Sequence, residues 1–579
     1  MALRYENLAR VARSARLTYL LIAVVVVLYV RSRNSDPDHQ LDEHSQALET
    51  LMQKERERVL RERALEVADE HVLETKWFKG NKLDTRCPDY VEYSQHRHGP
   101  YSEGPLKLAY MRPAKDCRTF TSSAVESVIE DMRLRMADPD LFRLFENAFP
   151  NTLDTTVLWH DPENAETNSP RTFISTGDIH AEWLRDSARQ LSVYQPLVKK
   201  DPKLQQLIKG AIIQQALYIK KAPYCNAYQP PEGSGVDRRP SSVDYVGPRP
   251  PWKHVFECKW ELDSLASFLT LTNEYYENSH DKSIFRHQSW KDAFDLILTV
   301  LHRESIPTFD ENGDLLPFYY TFQRETRIGT ETLSLAGSGN PVCGNTGLIR
   351  SAFRPSDDAC IYQLFIPANA QLQVELARLE PVLRENGLAD FADSAREYAT
   401  AISKGIEEFG VVNHKKYGTV YAYEVDGFGG VNIMDDANVP SLLSLPDMGY
   451  LDRNDEIYQN TRKMILSKDG NPYYFRGKYF KGIGGPHVGL SNAWPMALLL
   501  QIRTTDDDNE IAELLELVKT TTAGLGLMHE SIHVNAPNHQ YTRPWFSWCN
   551  SEFGKTILDL AKRKPYLIFK HEYSEPYIV

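Results

Sequence analysis

Apolar residues recur at the spacing of an amphipathic helix through most of the chain after residue 121, whereas strand-like alternation is rare. The pattern predicts helices at 122–148, 181–198, 203–222, 261–277, 289–303, 362–385, 388–408, 436–450, 456–467, 491–503, 508–525 and 551–563. The segments between them are rich in Gly, Pro, Asp, His and aromatic residues. Helices joined by long polar loops predict an all-α ring of paired helices, with the chemistry on the loops at one end.

The N-terminal segment has a different pattern. Leu17 to Val30 is an uncharged, mostly apolar run that follows Arg4, Arg10, Arg13 and Arg16. The run is shorter than the ~20 residues of a typical spanning helix, and the preceding arginines favour a cytoplasmic N-terminus. We predict a cytoplasmic tail and uncleaved signal anchor at residues 1–34; a cleaved signal peptide and a peripheral segment are the alternatives. The catalytic domain would then be lumenal, on the membrane of the Golgi or endoplasmic reticulum, although the chain has no N-x-S/T sequon.

Residues 35–87 are polar and charge-dense, with a partial helical stripe of leucine and valine. They predict a charged helical stalk that holds the body away from a membrane, with a solvated helix packed on the body as the alternative. No second linker interrupts residues 88–579, which are predicted to form the catalytic domain. The Gly/Pro-rich segment 228–252 lies too far inside the body to mark a boundary, and is interpreted as a long functional loop.

The composition is that of a folded protein and narrows the classes of ligand. The 579 residues are 42% hydrophobic, 25% charged and 11% aromatic, and the formal net charge is −13. An acidic chain argues against a nucleic acid partner, because phosphate binding needs a basic surface. None of the seven cysteines lies in a C-x-x-C pair, so a zinc ribbon is not expected. Their spacing does not assign disulfides.

Carboxylates, amides, arginine and aromatic residues concentrate at several junctions between a loop and a helix. The junctions are 175–190, 259–266, 353–371, 435–450, 482–495 and 528–554. One such junction is commonly a helix cap or a structural ion pair, but several in one chain indicate a binding site. Glycoside cleavage needs two carboxyl groups on opposite sides of an acetal, with hydrogen-bonding groups and an aromatic floor for the sugar. The chain has that inventory, and it lacks the G-x-S-x-G elbow and the phosphate-binding loop of competing chemistries.

Five segments resemble, in order, the motifs of glycoside hydrolase family 125. They are TGDIHAEWLRDS, FRPSDDA, NVPSLLSLP, GIGGPH, and MHES followed by TRPWFSWCNSEFG, within residues 110–565. The resemblance implies an (α/α)6 barrel that removes α-1,6-linked mannose from the ends of mannose-containing glycans, with inversion and without a metal or cofactor. The alternatives are an α-glucosidase or other exo-glycosidase on the same fold, and a glycan-binding protein without catalysis.

The same motifs imply two catalytic carboxyl groups. Asp357 is expected to be the general acid, with Asp358 orienting it or binding sugar hydroxyls, and Glu530 is expected to be the general base. Inversion requires the two catalytic carboxyl groups to lie about 6.5–9.5 Å apart. We also expect partial burial and the adjacent Asp358 to keep Asp357 protonated near neutral pH.

The other motif residues are expected to line the sugar pocket. Asp178, Trp183, Arg185 and Asp186 are expected to hold the terminal sugar, because neighbouring hydroxyls suit bidentate carboxylate and guanidinium groups. Further candidates, for substrate contact or structural support, are Glu261, Asp263, His487, Arg543 and Trp545. One departure is His180, where bacterial relatives are expected to have proline, and it would alter the pocket rim. The 228–252 loop is expected to restrict what lies beyond the first sugar.

Overall fold

The computed structural model describes residues 78–79, 82–83 and 87–579, all within a compact unit that spans Lys76–Val579. The predicted signal anchor at 1–34 lies outside the described residues, as does the predicted stalk apart from its last few positions. In the part of the chain that is described, no helix combines the length and the apolar character needed to cross a bilayer.

The body is largely helical, as the hydrophobic pattern predicts. The α-helices are α1 (Tyr90–Tyr93), α2 (Ser123–Arg135), α3 (Pro139–Ala148), α4 (Asn151–Thr155), α5 (Leu184–Ser192), α6 (Pro202–Lys221), α7 (Leu262–Ser279), α8 (Ser283–Arg286), α9 (Gln288–Glu304), α10 (Ile366–Glu385), α11 (Ala389–Gly405), α12 (Glu456–Ile465), α13 (Pro495–Arg503), α14 (Asp508–Thr520) and α15 (Ser547–Arg563). The predicted helix at 122–148 is divided into α2 and α3, because the Asp138 carboxylate caps a new helix that Pro139 begins.

The helices pack in two layers. Helices α5, α7 and α10 contact one another in sequence, and α15 contacts both α5 and α13. These helices are buried on nearly every face. Helices α9, α11 and α14 expose one face and pack outside, with α11 on α10, α14 on α13 and α9 on α6, which itself packs on α7. The result is a ring of inner helices backed by amphipathic outer helices, as predicted.

One predicted helix, 436–450, is wrong. The segment is buried but folds as a series of turns. Its own side chains compete for the backbone: Asp435 accepts the N–H groups of Leu442 and Leu443, and the Ser441 and Ser444 hydroxyls accept each other's backbone N–H. Such local bonds replace the helical ladder, and prolines at 440 and 446 remove further donors.

Strands are more numerous than predicted. The described residues contain β1 (Phe78–Lys79), β2 (Lys82–Leu83), β3 (Val157–Asp161), β4 (Arg171–Ile174), β5 (Glu182–Trp183), β6 (Ala227–Tyr228), β7 (Tyr245–Gly247), β8 (Val255–Glu257), β9 (Thr321–Gln323), β10 (Leu364–Phe365), β11 (Val411–His414), β12 (Gly418–Tyr421), β13 (Glu424–Val425), β14 (Val431–Asn432), β15 (Tyr474–Arg476), β16 (Lys481–Ile483), β17 (Asn492–Ala493), β18 (Ser531–His533) and β19 (Tyr541–Thr542). They pair antiparallel in small sheets, such as β5-β6-β8, β10-β13-β14 and β17-β18-β19. Most of them are two or three residues long, below the length at which alternation can be detected.

The short strands lie next to the N-termini of the inner helices and hold the loops that carry the predicted site residues. Strand β5 runs directly into α5 and β10 into α10, while β8, β17 and β19 lead through a few residues into α7, α13 and α15. Two disulfides also secure the loops: Cys87 bonds Cys117, and Cys225 bonds Cys258. The three cysteines left free are Cys343, Cys360 and Cys549.

Candidate active site

The inner helices begin without side-chain caps. By contrast, helices α6, α12 and α14 each follow an aspartate whose side chain accepts backbone N–H groups. None of the inner helices α5, α7, α10, α13 and α15 has such a side-chain cap. Their N-terminal N–H groups and partial positive charges are therefore not neutralised by a capping carboxylate, which favours anionic side chains nearby.

Arg185, at the start of α5, gathers four of the predicted carboxylates. Its Nη1 lies 2.6 Å from Glu261 Oε2 and 3.0 Å from Asp263 Oδ2. Its Nη2 lies 3.4 Å from Asp186 Oδ2 and 3.8 Å from Asp357 Oδ1. The guanidinium thus joins the starts of α5 and α7 to the turn that carries Asp357.

A tight turn separates the two adjacent aspartates. Asp357 has a φ of 66°, in the left-handed region, and its N–H donates to the Arg354 carbonyl at 2.9 Å. The Asp357 side chain is 22% exposed, whereas Asp358 is 1% exposed and accepts a hydrogen bond from Ser356 at 3.1 Å. Asp357 is therefore the more accessible of the two carboxyl groups. A non-glycine residue in this region stores strain of the kind found at functional sites.

Sequence reasoning missed Asn226 and Lys259, which act on Asp357, and Glu257, which contacts both of them. The Asn226 Nδ2 lies 3.4 Å from Asp357 Oδ1 and 3.3 Å from Glu257 Oε2. Buried Lys259 lies 3.4 Å from Glu257, and its backbone N–H donates to the Asn226 side chain at 3.0 Å. Asn226 and Lys259 each follow a cysteine of one disulfide, but that pairing could not be derived from the spacing.

The electrostatics of Asp357 differ from expectation. Burial would raise its pKa, but Lys259 and Arg185 hold the pKa of Asp357 well below its ordinary value. Burial raises the pKa of Glu261 well above the ordinary value, and the nearby charge of Asp357 raises it further while Arg185 opposes. The two cations thus outweigh burial, and of the two carboxyl groups Glu261 binds a proton more tightly.

Two other carboxyl groups of the cluster titrate near neutral pH. Burial raises the pKa of Asp186 to about 7, with Asp357 raising it further and Arg185 and Arg543 opposing. Burial also raises the pKa of Asp358 to about 6. The field of Arg543 on Asp186 connects the Asp357 cluster to the segment that carries Glu530.

The second wall holds Glu530 at the start of β18. Glu530 is 8% exposed, and its Oε1 lies 3.2 Å from Arg543 Nε. Arg543 has a φ of 52° and also forms an ion pair with Asp178. The predicted residues Asp178, Glu530 and Arg543, which come from two distant segments, therefore meet in one network.

The two predicted tryptophans have different roles: Trp545 supports the site residues, and Trp183 offers a group to a ligand. Trp545 is buried, donates to Asn151 Oδ1 at 2.6 Å and packs edge-on against Tyr90, so it supports the site from beneath. Trp183 is also buried, but within the described chain its Nε1 has no hydrogen-bond partner, which suits a group that meets a ligand hydroxyl. His487 acts electrostatically on both Asp357 and Asp358.

The segment around Glu530 also has the H-E-x-x-H spacing that zinc proteases use on a helix. Here the segment ends in β18 instead of a helix. His529 stacks on Tyr541 with ring centroids 3.9 Å apart, and its Nδ1 lies 3.0 Å from the Arg543 carbonyl oxygen. Among the described residues, no group of three or more His, Cys, Asp and Glu side chains is arranged to hold a metal ion.

Comparison with known proteins finds similarity over most of the chain. Residues 138–558 match the model of glycoside hydrolase family 125, the metal-independent alpha-mannosidases. The chain is 55% identical over 489 residues to the meiotically up-regulated gene 157 protein of Schizosaccharomyces pombe, covering 84% of this chain and 94% of the relative. It is also similar to a metal-independent alpha mannosidase of Streptococcus pneumoniae, solved in a non-productive complex with alpha-1,6-mannobiose. That match has 34% identity and a TM-score of 0.68, and covers 76% of this chain and 98% of the other.

Proposed function

The chain belongs to glycoside hydrolase family 125, and from that premise we propose that it is an exo-acting, inverting α-1,6-mannosidase. The observation that carries the proposal is the carboxylate cluster around Arg185, in a chain 34% identical to a mannosidase solved with alpha-1,6-mannobiose. Terminal mannose on a glycan would be the substrate.

In the proposed reaction, Asp357 protonates the departing glycosidic oxygen while Glu530 takes a proton from the water that attacks the anomeric carbon from the opposite face. Arg543, 3.2 Å from Glu530, orients that carboxylate. Asp178, Asp186 and Trp183 hold the hydroxyls of the terminal sugar. Trp183 Nε1 is a buried donor without a hydrogen-bond partner among the described residues, and Asp186 Oδ2 makes an ion pair with Arg185 at 3.4 Å but accepts no hydrogen bond from those residues.

The test is hydrolysis of α-1,6-mannobiose followed by proton NMR of the first-formed sugar. We expect β-mannose to appear first and to mutarotate afterwards, with much slower cleavage of α-1,2- and α-1,3-mannobiose and of α-glucosides. Initial formation of α-mannose would contradict the inverting mechanism. Binding without hydrolysis would instead favour the glycan-binding alternative, and preference for glucosides would favour an α-glucosidase.

We further propose that the ring contains six helical hairpins, with the buried turns of 441–450 in the inner position between α10 and α13. The contact of Asp447 Oδ1 with Arg503 Nε at 2.7 Å supports this, because it joins the segment to the end of α13. The turns would replace a helix at that position without interrupting the ring.

The location in the secretory pathway membrane, through residues 1–34, is also part of the proposal. It is supported by the apolar run at Leu17 to Val30 and by the two disulfides, which form in oxidising compartments. Protease treatment of intact microsomes should leave residues 88–579 uncut, and alkaline carbonate should not extract the protein. Digestion of the body in sealed microsomes would contradict the lumenal location, and extraction by carbonate would contradict the anchor.

A further inference from the structure

The environment of Glu261 separates this carboxylate from the substrate. Glu261 is 0% exposed. Its Oε2 accepts from Arg185 at 2.6 Å and from the Ser264 hydroxyl at 3.1 Å, and its Oε1 accepts from Asn226 Nδ2 at 3.1 Å. A side chain enclosed in this way acts on the reaction only through its neighbours.

One of those neighbours is the proposed general acid. Asn226 Nδ2 lies 3.1 Å from Glu261 Oε1 and 3.4 Å from Asp357 Oδ1, so a single amide bridges the two carboxyl groups. The Arg185 guanidinium bridges the same two groups, with Nη1 2.6 Å from Glu261 Oε2 and Nη2 3.8 Å from Asp357 Oδ1. Because single side chains contact both carboxyl groups, their charges lie close enough to interact, and the two groups titrate as a pair.

Charged groups from several elements face this pair. Helix α5 contributes Arg185 and Asp186, and β8 contributes Glu257. Lys259 lies just before α7, Asp263 lies in the first turn of α7, and His487 follows β16. Lys259 and Arg185 favour the ionised form of Asp357. Asp357 alone would therefore lack a proton at neutral pH, when the proposed reaction requires one.

We propose that Glu261 is the proton partner of Asp357, storing in the buried pair the proton that Asp357 delivers, and that Asn226 is the positioning residue that aligns the two carboxyl groups. The inference rests on the proposed function. The proton passes from Glu261 to Asp357 and then to the departing oxygen, so that an O–H bond of Glu261 breaks and an O–H bond of the leaving alcohol forms. Glu261 ends ionised beside Arg185. The proton that Glu530 takes from water returns to the pair through solvent, which restores the starting state.

The test compares two substrates that differ in their need for a proton. α-1,6-Mannobiose has a poor leaving group, whereas 2,4-dinitrophenyl α-mannoside releases a stable anion without protonation. For Glu261→Gln we expect kcat/KM on mannobiose to fall ~100-fold, within the range of general acid catalysis, and to change less than ~3-fold on the dinitrophenyl substrate. The basic limb of the pH profile on mannobiose should move to lower pH, because Asp357 must then take its proton from solvent against Lys259 and Arg185.

The matched control is Asp263→Asn. Asp263 is equally buried and binds the same guanidinium at 3.0 Å, but its interaction with Asp357 is through charge alone. This variant should lower kcat/KM on both substrates in similar proportion. If Glu261→Gln does not fold, Asn226→Ala decides the question, with the same selective loss on mannobiose expected.

Two results would overturn the inference. Equal losses of Glu261→Gln on the two substrates, with an unchanged pH profile, would make Glu261 a purely structural residue. Full activity of the same variant on mannobiose would show that Asp357 needs no partner. Inactivity of the parent protein on both substrates would be recognised separately, because it overturns the proposed mannosidase function itself.

Discussion

At the scale of single residues, backbone conformation distinguishes two neighbours that look equivalent in the sequence. Asp357 and Asp358 are adjacent and chemically identical, yet the left-handed φ of Asp357 leaves its side chain partly exposed while Asp358 is buried. Asparagine also adopts positive φ readily, so an amide can replace the Asp357 carboxyl group without disturbing the turn.

Asp357→Asn should therefore fold normally and lose activity. We expect kcat on α-1,6-mannobiose to fall by ~10²- to 10⁴-fold, since the variant cannot donate the acid proton. The thermal unfolding midpoint should also fall, because Lys259 and Arg185 lose a negative partner. Steady-state kinetics and calorimetry measure the two quantities. Asp393→Asn, on the exposed face of α11, is the control and should retain full activity. Substantial residual activity of Asp357→Asn would remove this residue from the acid role.

At the scale of elements, a buried ion network holds the inner ring together beneath the site. Glu552 of α15 lies 2.7 Å from Arg189 of α5 and 2.7 Å from Arg503 of α13. Arg503 also lies 2.7 Å from Asp447 of the 441–450 turns. Arg189 follows Arg185 by one helical turn, so one face of α5 serves both the site and this network. The charges balance only while every partner is present.

Glu552→Gln should destabilise the ring by leaving Arg189 and Arg503 with too little negative charge. We expect the free energy of unfolding at pH 7 to fall by about 3–5 kcal/mol, as when one partner of a buried ion pair is removed. Denaturant titrations measure the difference, and Glu516→Gln, an exposed carboxylate of α14, is the control. An unchanged stability would mean that solvent or relaxation compensates the network.

The loss of stability in Glu552→Gln should depend on pH. Although burial opposes it, Arg189 and Arg503 lower the pKa of Glu552 from 4.5 to about 2 in the folded protein. A lowered folded pKa contributes stability above the unfolded value of 4.5, and this contribution is lost as the pH falls through about 2. The stability difference between parent and Glu552→Gln should therefore shrink between pH 5 and pH 2, and a constant difference would contradict the assignment.

At the scale of the whole molecule, the two disulfides make the stability of the fold depend on an oxidising compartment. One of them also positions residues of the site. The bond between Cys225 and Cys258 closes a loop across 33 positions. It also brings together Asn226 and Lys259, which approach Asp357 and its partners. An oxidising environment is thus expected to favour both the folded state and the arrangement of the acid.

Joint replacement of Cys225 and Cys258 by serine should lower the free energy of unfolding by about 3 kcal/mol, mainly by relaxing a constraint on the unfolded chain. Denaturant unfolding with and without reductant measures this, and reductant should have a smaller effect on the variant than on the parent. Cys343→Ser, at a free thiol, should match the parent. Equal stability of the double variant would mean that the bond contributes nothing to folding.

Much of the architecture follows from local pattern. Hydrophobic periodicity predicts helices such as α6, α7 and α11 because a helix repeats its buried face every three to four residues. This periodicity lies within each helix and does not depend on the conformation of the loops. Short strands such as β5 and β10 are two residues long and leave no periodic signal. Residues 436–450 have the apolar spacing of a helix but fold as turns, because side chains such as Asp435 accept the backbone N–H groups.

The sequence by itself determined the residue types of the site and the motifs in which they lie, including Asp357, Glu530 and Arg185, because the order of residues along the chain records them. Only the tertiary structure decided which groups surround the acid. Asn226 is 131 positions from Asp357 and reaches it through a disulfide and a three-stranded sheet. The protonation of Asp357 depends on Lys259, Arg185 and Glu261 in the same way, because electrostatic energy follows distance in space and burial.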